Sequence, residues 1–178
     1  MPVIAATSPT DCFECAYAAS KMALEHMTPV VLMTDAFIAN GSAAWKLPNL
    51  AEYPAINPPY VQLEMKESWT PYQRNEETGV RYWAIPGTEG FTHILGGLEK
   101  DNKTGAISTN PENHHLMTQL RQQKIEKIEV PDVVVEGDAD DAELLIVGFG
   151  GTYGHLHAAM DELHAKGKKV ALAHFKFI

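Results

Sequence analysis

Two cysteines, Cys12 and Cys15, are all the thiol chemistry this 178-residue chain has. A pair so close together cannot staple a chain of this size, and iron–sulfur ligation needs more thiolates than it possesses. Positive charge is short as well: 14 Lys and Arg face 23 Asp and Glu, for a formal net charge of −9. That balance disfavours attraction to nucleic acid or to an anionic membrane surface, so neither is expected as a partner. No apolar run approaches the roughly 20 residues of a membrane helix, and the N-terminus lacks the basic region of a signal peptide. The cytoplasm is therefore the default compartment. A G-x-S-x-G elbow and a P-loop are both missing. Eight histidines occur, among them His114-His115 and His155, His157 and His164, but no cysteine or carboxylate arrangement completes a recognisable ligand set. No catalytic residue and no metal site is assigned. The remaining composition, 45% hydrophobic and 21% charged, is that of one soluble globular domain or two small ones.

What is there is clearest from Asp141 to Ile178. Leu144-Leu145-Ile146-Val147 is a short apolar run, Gly148 to Gly154 a glycine-rich turn, and a helical segment follows to about Lys166. Gly167 ends it, and a second apolar run covers Val170 to Ile178. Leu156, Met160 and Leu163 repeat at spacings of four and three, so the helix is amphipathic. Two such strands joined by a helix lie parallel through a right-handed crossover, a βαβ unit.

The beginning of the chain reads the same way. Val3 to Ala6 is a strand, and Ser8-Pro9 is an N-cap and first-turn pair with Asp11 placed to complement the helix dipole. Cys12, Ala16, Ala19, Ala23 and Met27 mark a helix to about His26, and Val30 to Met33 is a second, buried strand ending at Asp35. From Ala36 onward prolines crowd in and periodicity is lost, apart from a short strand at Arg81 to Ile85. Trp45, Trp69 and Trp83 argue that this stretch is ordered, because a disordered linker has little use for large apolar side chains. Asn110-Pro111 starts a helix to about Ile128, with Leu116, Met117, Leu120 and Ile128 inward. The acidic run Glu136 to Glu143 reads as a solvated turn. The expected fold is thus α/β, with two incomplete parallel βαβ units at residues 1–35 and 139–178 joined by a long irregular connector with one helix at 36–138. Strands of this kind are normally flanked by others, which suggests a piece of a longer polypeptide or a subunit completed by partners. A small protein with an edge strand at its C-terminus is the alternative.

Two motifs invite chemistry. Gly148-x-Gly150 between strand and helix resembles a dinucleotide fingerprint, and Gly148, Gly150, Gly151 and Thr152 are the candidate cofactor-binding residues. Yet the position of the third glycine holds Tyr153, and Ala173, His174 and Phe175 stand where an acidic ribose ligand belongs. A tight turn facing another domain or subunit is the favoured reading; a stand-alone nucleotide-binding α/β module using Gly148 to Gly154 is the other. Cys12-x-x-Cys15 at a helix N-terminus admits a redox dithiol, but Cys12 continues the apolar stripe and Glu14 lies between the thiols, which favours two reduced structural cysteines.

Three stretches in order carry a family resemblance. Pro2 to Cys12 (PVIAATSPTDC) and Thr28 to Asp35 (TPVVLMTD) resemble the last βαβ of the pyrimidine-binding-type domain in the alpha subunit of 2-oxoacid:ferredoxin oxidoreductases, the 2-oxoglutarate type above all. Ile85-Pro86-Gly87, Gly97-Leu98-Glu99-Lys100-Asp101, Gly105, and His115 with Arg121 and Lys124 are similar to that family's connecting segment. Leu145 to Gly154 and Gly167 to Val170 resemble the start of its transketolase-C-terminal-like domain. The resemblance implies an enzyme system that decarboxylates a 2-oxoacid on thiamine diphosphate with Mg²⁺, passes electrons through an iron–sulfur cluster to ferredoxin, and transfers the acyl group to coenzyme A. It implies that these cofactors are held mainly outside the present segment, in large part by a beta subunit, within an oligomer. The segment itself would supply scaffold and subunit contact and be inactive alone. Glu99 and Asp101 match the family's connector acids and are the candidate substrate or interface residues, with a plain turn role as the alternative; Lys100 stands where many relatives carry histidine.

Overall fold

The computed structural model describes every residue from Met1 to Ile178, in two compact units. The first comprises residues 1–20, 29–54 and 130–178, and the second residues 21–28 and 55–129.

In the first unit, β1 (Val3–Ala5) lies parallel to β2 (Val31–Met33), with Ile4 opposite Leu32. The helix between them, α1 (Cys12–Glu25), follows a 3₁₀ turn at Pro9–Asp11 that Ser8 caps through its hydroxyl at 3.2 Å from the Asp11 N–H. The second parallel pair is β4 (Leu144–Phe149) and β5 (Val170–Phe175), joined through α4 (Tyr153–Ala165). Met160, Val170 and Leu172 form the core between α4 and this sheet, with Ile146, Leu156 and Leu163 packed on them. Gly167, at φ +73°, ends the helix and donates to the His164 carbonyl.

The acidic run is more than a turn. Val135–Gly137 forms β3, antiparallel to β5, so β5 lies in the middle of the sheet β3-β5-β4 and is buried from Val170 to Ala173. A C-terminal edge strand is therefore not what forms. Beyond Phe175 the chain turns to pair with β1: the Val3 and Ile178 backbones exchange hydrogen bonds of 3.0 and 2.9 Å, and the Ala5 N–H donates to Lys176 at 2.9 Å. β1 thus gains a second neighbour, and Ile4 is fully buried. β2 has only one. Val31, Leu32 and Met33 are all more than a third exposed, which corrects the expectation of a buried second strand. β4 is likewise an outer strand, with Val147 60% exposed. Hydrophobicity marked these segments as strands but not their rank within the sheet.

The connector expected over 36–138 is shared between the units and holds more than one helix. Asp35 caps the short α2 (Ala36–Asn40), and 3₁₀ turns occur at Leu50–Glu52 and Leu63–Met65. Its tryptophans are ordering elements. Trp45 meets Phe13 of α1 at a tilt and Tyr53 meets it edge-on, each at 5.7 Å, and Tyr53 also meets Tyr17 at 4.9 Å. Within the second unit Trp69 packs against Phe91 and His93, and the Trp83 indole donates to the Leu24 carbonyl at 2.8 Å. Arg81 to Ile85 makes only isolated bridges, Arg74 to Arg81 and Tyr60 to Trp83, rather than a strand.

Helix α3 (Pro111–Glu126) starts as its Asn-Pro signal requires, the Asn113 N–H donating to the Asn110 side chain at 2.6 Å. Of its expected inward residues, Met117, Leu120 and Ile128 are buried or half-buried and Leu116 is not. Asn113 and Met117 are buried, with Leu120 and Lys124 half-buried on the same stripe, while Leu116 is exposed. A polar residue leads that stripe because the Asn113 amide donates to the Lys100 carbonyl at 3.0 Å and accepts the Asn102 N–H at 3.1 Å.

Replacing Leu172 by Ala should cost about 2–5 kcal/mol of unfolding free energy, because it empties a core position. Val31→Ala on the exposed strand should cost under about 1 kcal/mol. Urea melts of the two variants measure both; equal losses would contradict the sheet order.

Candidate functional site

The carboxyl ends of parallel strands are where α/β proteins place ligands, since the connecting loops open there. Here the ends of β1, β2 and β4 surround a cavity of about 450 Å³ lined by Ala5, Met33, Asp35, Phe149, Gly150 and Leu156, among others. The glycine turn forms part of its wall.

Each candidate in that turn has a local structural cause. A Cβ on Gly148 would lie 2.2 Å from Leu156 Cδ1, so this glycine lets α4 pack closely on β4. Gly150 holds φ at +64°, which turns the chain from strand into the 3₁₀ turn Gly150–Thr152. A Cβ on Gly151 would lie 2.2 Å from Asp35 Oδ2, and the Gly151 N–H donates to that oxygen at 3.1 Å. Thr152 Oγ1 donates to the Phe149 carbonyl at 2.7 Å. The amide a phosphate would need is therefore occupied by a carboxylate, and an anion brought to the turn would meet that like charge. Asp35 also accepts the Ile38 N–H at 2.9 Å as the cap of α2, so one side chain ties the end of β2 to the turn after β4.

The other candidate pair lies in the second unit. Glu99 accepts from Arg121 at 2.9 Å and from His114 at 2.6 Å, and these two partners hold its carboxyl below the usual range. Asp101 accepts the Thr104 and Lys103 N–H groups at 2.8 and 3.0 Å, which likewise lowers its pKa. Between them Lys100 is buried, its ammonium donating to the Leu98 carbonyl at 2.6 Å and to the Gly96 carbonyl. The structure brings these residues together as an ordered turn of the second unit.

Both cysteines are free thiols, Cys12 half-buried and Cys15 buried. Cys15 is buried and its thiol donates to Asp11 Oδ2 at 3.3 Å; burial first, then the Asp11 charge, push it up to about 12. A nucleophilic cysteine needs the opposite shift. Asp11 gathers four donors: the Thr7 N–H and hydroxyl, the Cys15 thiol and the Lys176 ammonium at 2.6 Å. Burial alone would raise its carboxyl, but Lys176 and Thr7 outweigh that and hold it low.

A second cavity, of about 900 Å³, is lined by Cys15, Tyr17, Val133, Tyr153, His174 and Lys176, among others. The His174 ring meets Tyr153 at 5.1 Å, and its Nε2 is buried without a hydrogen-bond partner. Burial pushes its pKa down against the pull of Glu136. Sequence reasoning passed over Asp35, Asn113 and the Arg74–Arg81 pair. Asp35 carried a signal, an N-cap residue directly after a strand; the other two needed knowledge of which segments meet.

Residues 1–113 match the pyruvate flavodoxin/ferredoxin oxidoreductase family in its thiamine diphosphate-binding domain. Over 176 residues the chain is 44% identical to the 2-oxoglutarate oxidoreductase subunit KorA of Mycobacterium tuberculosis, an alignment covering 99% of this chain and 27% of that protein. In structure it matches a 2-oxoglutarate:ferredoxin oxidoreductase from Magnetococcus marinus, solved with 2-oxoglutarate, coenzyme A and succinyl-CoA bound. The TM-score is 0.85 at 26% identity, over 98% of this chain and 30% of that one. The chain thus spans less than a third of the length of either relative.

Three outcomes follow from the geometry. Asp35→Ala should lose about 1–2 kcal/mol of stability, since two backbone donors lose their acceptor. Gly151→Ala should cost a similar amount in the native background and little in the Asp35→Ala background, because the clash is with the carboxylate; a double-mutant cycle on urea melts reads the coupling. At pH 8 the Cys15 thiolate fraction is on the order of one in ten thousand, so iodoacetamide should label Cys15 only after unfolding. Mass spectrometry of labelled native protein checks this, and rapid native labelling of Cys15 would contradict it.

Proposed function

The chain belongs to the pyruvate flavodoxin/ferredoxin oxidoreductase family, and from that premise we propose that it is part of the alpha subunit of a 2-oxoacid:ferredoxin oxidoreductase of the 2-oxoglutarate type. The assembled enzyme would oxidatively decarboxylate the 2-oxoacid, reduce ferredoxin and form the acyl-CoA. This segment serves as scaffold and subunit contact. The observation that carries this role is the pair of apolar strands with open edges. Val31, Leu32 and Met33 on β2 and Leu144, Leu145, Val147 and Phe149 on β4 are exposed although each is a good core residue. Unpaired backbone beside such side chains is a template for another strand or subunit.

Thiamine diphosphate with Mg²⁺ supplies the carbanion chemistry of such enzymes and requires free donors for the diphosphate and oxygen ligands for the cation. The glycine turn does not offer such a donor, because the Gly151 amide is committed to Asp35. We therefore assign thiamine diphosphate and Mg²⁺ chiefly to a beta subunit, and the iron–sulfur cluster to a cysteine set outside these residues, which hold only two thiols. We place the assembly in the cytoplasm, in keeping with those free thiols and with the fact that no helix is long and apolar enough to cross a membrane.

The purified chain alone should show no coenzyme A-dependent 2-oxoglutarate oxidation, and any turnover would refute the scaffold role. A tagged chain should capture a beta-type subunit. Val147→Lys on β4 should weaken that capture about tenfold or more while leaving the urea midpoint nearly unchanged, since the side chain is exposed in the isolated chain. Undiminished capture by this variant would remove β4 from the contact.

A further inference from the structure

The second unit contains positive charges that nothing in the chain neutralises. Arg74 and Arg81 are directly opposed across an antiparallel bridge, which places two like charges on neighbouring side chains. Arg74 gives one nitrogen to the Gly79 carbonyl at 3.0 Å, while its Nε is buried with no acceptor at all. The Arg81 guanidinium lies over the Tyr72 ring, 4.4 Å from its centre. Lys124 of α3 is half-buried and donates to the Met27 carbonyl at 2.6 Å. No carboxylate lies within ion-pair distance of these three side chains. The neighbouring acid, Glu99, is already shared by Arg121 and His114. His26, whose pKa is lowered by burial and further by Lys124, adds no negative charge, and nearby Glu25 is held by Lys21. Other Lys and Arg side chains also lack an ion pair, the buried Lys100 among them, but these three are partly buried and near enough to act on one another.

We propose that Arg74, Arg81 and Lys124 form a binding site for an oxyanion group, carboxylate or phosphate, of a small ligand. The chemistry of the three suits that task. A guanidinium held flat by an aromatic ring offers a fixed fork of donors to a two-oxygen acceptor, a second guanidinium has a free buried Nε–H, and the ammonium adds a point charge. The arrangement also accounts for its own cost. Burial and then the charges of Arg74 and Arg81 push Lys124 down to about 8, and a bound anion would reverse both effects. The site stands on these charges and geometry and does not depend on the enzymatic role argued above.

Calorimetric titration of the 178-residue chain at low ionic strength with inorganic phosphate, 2-oxoglutarate and coenzyme A tests it. Saturable binding of at least one is expected, weakened about tenfold or more by Arg81→Gln and by Lys124→Gln, and unchanged by Lys166→Gln, just beyond α4. Tighter binding of coenzyme A would identify the anion as phosphate, and tighter binding of 2-oxoglutarate as carboxylate. Carbon NMR of the Lys124 side chain gives a readout independent of variant folding: its titration midpoint should rise when the bound anion is present. The site is overturned if none of the three anions binds, if both variants bind like the native chain, or if the Lys124 midpoint does not move. Anion binding by a chain that never captures a beta-type subunit would leave this site standing and remove the enzymatic reading.

Discussion

The pairing of residues 176–178 with β1 is the constraint from which the first unit takes its form. β5 runs parallel to β4 as far as Phe175, and the chain then continues antiparallel to β1, so two βαβ segments far apart in sequence share one run of backbone. Both strands so enclosed carry fully buried side chains, Ile4 and Leu172, whereas the outer strands β2 and β4 do not. Lys176 fastens the junction through Asp11 at the start of α1. Because Asp11 also accepts the Cys15 thiol, the charge that holds the strand is the same one that keeps the cysteine protonated.

Where the carboxyl ends of β1, β2 and β4 line one cavity, Asp35 reaches the glycine turn and takes the Gly151 amide. A turn whose residues invite phosphate is thereby closed by the protein's own carboxylate. The three glycines serve close helix packing, chain reversal and access for Asp35 in turn. The result is a cavity with mainly apolar walls beside two apolar outer strands, a surface better suited to contact than to phosphate binding.

The second unit is organised by polar and aromatic contacts rather than by a sheet. Asn113 joins α3 to the turn carrying Glu99, Lys100 and Asp101, and Trp69 and Trp83 fix the proline-rich stretches to their neighbours. Glu99 accepts from His114 and Arg121 of α3, and Asp101 from the backbone of its own turn. The three cations lie in the same unit as two further buried groups without a partner, Trp69 Nε1 and Gln73 Oε1.

By itself the sequence determined the local elements. The Ser8-Pro9 and Asn110-Pro111 starts, the stop at Gly167, the Leu156, Met160 and Leu163 stripe and the ordering role of the tryptophans are all written in short windows, because caps and periodicity act over a few residues. Family kinship was legible too, in motifs that keep their order along the chain. Tertiary structure decided what each element faces. That Val31 is exposed while Leu172 is buried, that Leu116 yields to Asn113, that the first two residues of the acidic run join β3, and that Asp35 fills the glycine turn all depend on partners more than ten residues away. An apolar residue carries the same transfer free energy wherever it stands, and only the assembled sheet decides which strands have two neighbours and which have one.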